Sequence, residues 1–159
     1  FVLEAERIYD ALGKNVVAIH HIGSTSIPEI YAKPIIDLLV EVTDLLRVEP
    51  HYPAMEALGY EVMGEFGIPG RRYFRKHNAA GDRTHHVHTF EVGSPEVGRH
   101  LTFRDFMIAH PDLAQQYSDL KRTLAQQYPH DIDSYMDGKD GFIQEMDRRA
   151  AQWKLQKEA

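Results

Sequence analysis

Asp37 stands alone in Ile35-Ile36-Asp37-Leu38-Leu39-Val40, a run apolar enough to read as a buried strand. A carboxylate there is costly to bury unless a cation or hydrogen-bond donors meet it. Just upstream, His20-His21-Ile22 runs into Gly23-Ser24-Thr25-Ser26. That small-residue turn at a strand end leaves backbone N–H groups and hydroxyls that suit the oxygens of a phosphate. Gly and Ser are also routine turn formers, so the turn alone reads equally well as an ordinary loop. A phosphate cradle beside a buried acid is the logic of metal-assisted phosphoryl or nucleotidyl chemistry. Farther along, Thr84-His85-His86-Val87-His88-Thr89 sends His86 and His88 to one face of a strand and His85 and Val87 to the other. Imidazoles two apart can converge on one transition-metal ion. The same pair would serve as hydrogen-bonding groups within a sheet, or as a general base without a metal. One of His20 and His21 should face the same pocket, and the sequence does not choose between them.

Cationic side chains complete the set. Lys33 precedes the Asp37 strand within reach of the turn. Arg72, opposite the histidine strand, could offer its planar fork to a phosphate or carboxylate. Arg71 and Arg75 alternate away from it and read as solvated. Lys139 lies one helical turn after Tyr135, which puts an ammonium and a phenol on one side of a helix.

The elements that must position these residues follow from periodicity. Phe1 to Leu12 carries Val2, Ala5, Ile8, Tyr9 and Leu12 on one helical face, and Val16 to Ile22 is a first strand. A second runs from about Ile35 to Val42, Pro34 pushing Lys33 toward an extended backbone. A helix is expected over Tyr52–Leu58 and a short strand over Tyr60–Met63. Arg72–Lys76 and Thr84–Val92 form a hairpin about Asn78–Asp82. Ser94-Pro95-Glu96 reads as a helix start. That helix ends near His110, a second runs from Pro111 to Gln127, and a third reaches about Lys157. Strands first and helices last predict an α+β fold, a mixed sheet backed by a C-terminal helical half.

Composition narrows the function classes. A chain of 159 residues, 43% hydrophobic and 26% charged, fits one ordinary globular domain over 1–159. A formal net charge of -6 argues against a surface for duplex nucleic acid, though a local cluster can still hold a small anion. The absence of Cys excludes disulfides and thiolate metal sites. No apolar run is long enough for a bilayer and no signal pattern stands out, so no membrane partner and a cytoplasmic location are expected. Phe1-Val2-Leu3 opens without Met and already in helical register, so a short preceding segment is expected.

The segment His21-Ile22-Gly23-Ser24-Thr25-Ser26-Ile27-Pro28, followed by Lys33-Pro34-Ile35-Ile36-Asp37, resembles the GrpB family. The likeness continues through Gly64–Phe74, Arg83–His88, His100–Asp105 and Tyr135–Lys139, in family order and over nearly the whole chain. It implies a nucleotidyltransferase-like fold and a nucleotide or other small phosphorylated ligand. Proteins of that superfamily pair a Gly-Ser turn with two acids two residues apart on the next strand, about 7 Å from one another. Here Leu39 holds the second position, and Glu41, on the same face, lies about 13 Å from Asp37 along the strand. A later strand of the superfamily carries a third acid, so the resemblance sets His88 or His86 in its place. Asp37, His86 and His88 then form a metal set better suited to Zn, Mn or Fe than to Mg, although the superfamily's usual ions are Mg or Mn. The resemblance makes Asp37 and His88 the catalytic pair, gives Gly23, Ser24 and Thr25 to phosphate, and assigns Lys33, Arg72, Tyr135 and Lys139 to ligand contact. A His/Asp metal-dependent hydrolase and a non-catalytic nucleotide-binding module, suggested by Leu39, are the alternatives.

Overall fold

Five strands form one mixed sheet: β1 (Val16–Ile22), β2 (Ile36–Val42), β3 (Tyr60–Val62), β4 (Arg71–His77) and β5 (Arg83–Glu91). In space the order is β1-β2-β5-β4-β3, with β2 and β5 parallel and every other pair antiparallel. The computed structural model describes residues 1–28 and 34–158. Lys33 lies outside them. The described residues gather into two compact units: Phe1–Gly23 with Pro34–Gly98, and 24–28 with 99–158.

In the first unit, α1 (Val2–Leu12) and α2 (Tyr52–Ala57) cover one face of the sheet. The apolar stripe of α1 buries Ala5, Ile8 and Leu12 against Leu38, Val40 and Val42 of β2, Phe74 of β4 and Val87 of β5. Alternation along each strand delivers these residues together and sends their neighbours to the opposite face. Asp44 ends β2 and accepts from the Leu46 N–H at 3.0 Å, starting the 3₁₀ stretch that leads to α2. Asn15, before β1, bonds the Asp44 backbone through both ends of its amide, at 2.8 and 3.0 Å, and so fixes where β1 meets β2.

The second unit is helical. It takes the part of α3 (Pro95–Ala109) from Arg99 on, α4 (Pro111–Gln127), α5 (Ile132–Glu158) and a 3₁₀ turn over Ser24–Ser26. Its core sets Ile27 among Phe106, Met107, Ala114, Tyr117, Met146 and Ala150. His110 stacks on Phe106 at 4.2 Å, and Trp153 meets both rings edge-on at 5.7 Å. Pro111 opens α4 at the position where a missing N–H costs nothing. Among the described residues, no helix is long and apolar enough to cross a membrane.

Candidate metal centre on the histidine face of the sheet

Register decides which side chains meet. Asp37 pairs with Ile22 on one side and His86 on the other, and Leu39 pairs with His20 and His88. On β4, Arg75 lies opposite His86, Tyr73 opposite His88 and Arg71 opposite Phe90. Partners in register point the same way. The face turned away from α1 and α2 therefore carries His20, Asp37, Glu41, His86, His88, Arg71, Tyr73 and Arg75.

At its centre the Asp37 Oδ1 lies 3.3 Å from His86 Nδ1 and 3.2 Å from His88 Nε2. One donor atom from each of the three residues falls within 4.8 Å of the others. Separations a little over 3 Å are those between ligand atoms arranged tetrahedrally about an ion with bonds of about 2 Å. Burial pushes the Asp37 carboxyl up, but the hydrogen bonds from His86 and His88 more than reverse it, holding the acid down at about 2. His86 Nε2 is buried and has no hydrogen-bond partner among the described residues.

The surrounding residues account for the other groups. Gly23, at φ 73°, backs onto the carboxylate, and a Cβ there would come within 2.5 Å of Asp37 Oδ2. Any side chain would meet both strain and the acid. Leu39, which stands where the resemblance predicts a second acid, is fully buried. Glu41 is engaged elsewhere, bonding His20 at 2.6 Å. His20 is thus the histidine of the pair that shares the Asp37 face, while His21 stacks on Phe1 at 5.1 Å.

The arginines of β4 stand opposite to expectation. Arg72 pairs with Thr89 on the α1/α2 face, and its guanidinium bonds Glu49 at 3.2 Å. Arg71 and Arg75 share the histidine face. Arg71 is buried, 6% exposed, and donates to Glu65 O at 3.2 Å, Phe66 O at 2.9 Å and His88 Nδ1 at 3.2 Å. A guanidinium can only donate. In this arrangement Nδ1 of His88 is an acceptor, and the ring proton sits on Nε2, directed at Asp37. Alternation gave the parity within β4 correctly. What it could not supply was the register against β5, which shifts between Lys76 and His77 next to the turn.

The remaining expected contacts belong to the helical unit. Ser24 lies in the 3₁₀ turn with Thr25, and its Oγ accepts from Lys121 Nζ at 2.6 Å. Lys121 is only 4% exposed and also lies over the Tyr117 ring at 4.7 Å. Sequence reading missed it, because a lysine in the middle of an amphipathic helix reads as solvated. The one available signal was its spacing: four residues after Tyr117 and three before Leu124 place it on the buried stripe. Tyr135 and Lys139 do meet, the ammonium 5.1 Å from the ring.

Known proteins resemble this chain closely. The family described as "GrpB protein" matches residues 1–149. The UPF0157 protein YqkA of Bacillus subtilis is 49% identical over 151 residues, 95% of this chain and 43% of YqkA. The chain therefore spans less than half of that relative. The crystal structure of the conserved protein GrpB from Enterococcus faecalis superposes with a TM-score of 0.92 at 43% identity, covering 98% of this chain and 92% of that one. A dephospho-CoA kinase of Mycolicibacterium paratuberculosis is 29% identical over 92% of this chain and 42% of its own length.

Proposed function

The chain belongs to the GrpB family, and on that premise we propose that it is a nucleotidyltransferase-like protein that binds a nucleotide or related phosphorylated ligand together with a divalent ion. Asp37, His86 and His88 would hold the ion, and the backbone at Gly23, which backs onto Asp37, would take phosphate oxygens. The observation that carries this reading is the convergence of one carboxylate and two imidazoles within 4.8 Å, the one cluster of this kind among the described residues. An ion held there supplies positive charge to a phosphate oxygen and to charge developing on it. Two nitrogens and one oxygen favour Zn, Mn or Fe over Mg, which prefers an all-oxygen shell.

The chain's own residues would do the rest. Asp37 arrives ionised, because its partners already hold its carboxyl well below the usual carboxylate range. Gly23 lets the turn approach that carboxylate. Ligation through His88 Nε2 would move the ring proton to Nδ1 and release the Arg71 contact there, since a guanidinium can only donate. The mycobacterial relative, of which this chain matches 42%, supports a phosphorylated ligand through its name, dephospho-CoA kinase.

Titration of tag-free protein with Mn²⁺ or Zn²⁺, with and without nucleoside triphosphate, tests the proposal. Stoichiometric metal binding and metal-dependent nucleotide binding are expected. Asp37→Asn and His88→Ala should each weaken metal at least about 100-fold, the upper part of the range seen even when only the partners of metal ligands are removed. Wild-type protein that binds neither metal nor nucleotide, across Mg²⁺, Mn²⁺ and Zn²⁺, would sink it. A second reading, a nucleotide-binding module without metal chemistry, is favoured by Leu39 and by the His88 proton directed at Asp37. It predicts nucleotide binding indifferent to both substitutions.

A further inference from the structure

Phe66 has two properties that rarely occur together. It has a positive φ, 47°, as no other non-glycine among the described residues does, and its side chain is large, aromatic and 55% exposed. A bulky residue in the left-handed region carries strain, and such strain persists only where surrounding bonds over-determine it. They do so here. The buried Arg71 holds both the Glu65 and Phe66 carbonyls, and the Glu65 carboxylate accepts from the Gly70 N–H at 2.7 Å. The loop is thus fixed in a form that displays a phenyl ring. A ring meant only for packing would not be held so far into solvent.

One face of that ring is covered. Phe66 stacks on Tyr73 with centroids 5.4 Å apart and planes 21° from parallel. Tyr73 in turn meets His88 at 5.3 Å and His86 at 5.7 Å. A continuous series of rings therefore leads from the candidate metal ligands out to Phe66, and the cation that bonds His88 also pins the Phe66 carbonyl. The Arg75 guanidinium lies over part of the Phe66 ring, 5.6 Å from its centroid, and is itself bonded to Glu61 at 3.1 Å.

We infer that Phe66 is the base-stacking platform of the ligand site, with a purine or pyrimidine lying on its outward face while the phosphates of the same nucleotide lie toward Asp37, His86 and His88. This deepens the nucleotide reading and rests on it. Every base offers a π face, so the platform would confer affinity for the nucleoside moiety without strong choice among bases.

The test compares nucleoside triphosphate with inorganic triphosphate, each with Mn²⁺, on the full chain. Phe66→Asn removes the ring and keeps a residue that tolerates positive φ, and Phe66→Trp keeps a platform and adds a fluorophore. The expected result has three parts. Nucleoside triphosphate binds Phe66→Asn about tenfold or more weakly, the size of one base–aromatic stack. Inorganic triphosphate binds it as it binds wild type. In Phe66→Trp, affinity is retained and nucleotide, but not inorganic triphosphate, quenches the indole. If Phe66→Asn weakens both ligands equally, or neither, the stacking inference is overturned while the nucleotide reading stands. If wild type binds inorganic triphosphate but gains nothing from the base, the inference again fails. If wild type binds neither, both fail.

Discussion

The two faces of the sheet each hold a carboxylate among hydrogen-bonding partners, and the two are treated differently. On the α1/α2 face, Glu4 is 5% exposed and receives Tyr60 Oη at 2.6 Å and Lys76 Nζ at 2.6 Å. Burial pushes its carboxyl up, and the bonds from Lys76 and Tyr60 bring it below the ordinary value. The Lys76 ammonium and the Tyr60 phenol meet on Oε1, Arg7 faces Oε2 at 3.5 Å, and the whole ties α1 to β3 and β4. On the other face, Asp37 is met by two imidazoles, each with a second nitrogen. One is held by Arg71 and the other is buried. The first arrangement is finished by the chain itself. The second leaves one imidazole nitrogen without a hydrogen-bond partner among the described residues, and that is the difference between the two carboxylate clusters.

Breaking the closed side should cost the most. Glu4→Ala would leave the Lys76 ammonium, whose side chain is 15% exposed, without its carboxylate. Removal of one partner from a buried pair costs about 3 to 5 kcal/mol. Urea denaturation should show that loss, while the metal affinity of the protein that remains folded stays at the wild-type value. A loss under about 1 kcal/mol would mean that Glu4 is no more structural than an exposed surface pair.

On the histidine side the effect is smaller and depends on pH. The folded Asp37 titrates at about 2 against an ordinary 3.8. A carboxyl whose folded value is depressed contributes stability above its unfolded value and loses it as pH falls through the folded one. The contribution, about 2 kcal/mol from a shift of this size, should be complete above about pH 4 and gone near pH 2. Glu4 titrates in the same sense, so the difference between wild type and Asp37→Asn isolates the Asp37 part. Parallel stability curves for the two proteins from pH 5 to pH 2 would contradict this assignment.

How much of this was legible beforehand differed by level. The strands and helices were readable to within one or two residues, because the β-branched runs, the Pro95 and Pro111 helix starts and the 3.6-residue stripe of α1 are local signals. The triad was readable too, since the spacing of His86 and His88 fixes their common face whatever lies beside them. What failed needed the register between strands. A displaced pairing beside the 78–82 turn exchanges Arg72 for Arg71 and Arg75 on the histidine face, and no residue type announces it. Phe66 was hidden for a related reason. Its glycine-rich loop promised an irregular path, but only Arg71, reaching from the next strand, fixes which ring the loop presents. Lys121 was hidden by its helix, where nothing in the sequence marks a partner 97 residues away.

The smallest expected effect sharpens the contrast most cleanly, because each face holds one buried polar atom without a hydrogen-bond partner: His86 Nε2 and Thr89 Oγ1. Thr89 lies in register between Val40 and Arg72 on the α1/α2 face and is fully buried. If that face is complete in itself, its orphan hydroxyl serves nothing and only adds a desolvation cost. Thr89→Val keeps the branched, strand-favouring shape and removes the hydroxyl. It should stabilise the fold by about 1 kcal/mol in urea and leave metal and nucleotide binding untouched. A destabilised Thr89→Val would mean that the hydroxyl is satisfied after all, so that unpaired polar atoms no longer distinguish the two faces. The reading of His86 as a metal ligand would then have to stand on the geometry of the triad alone.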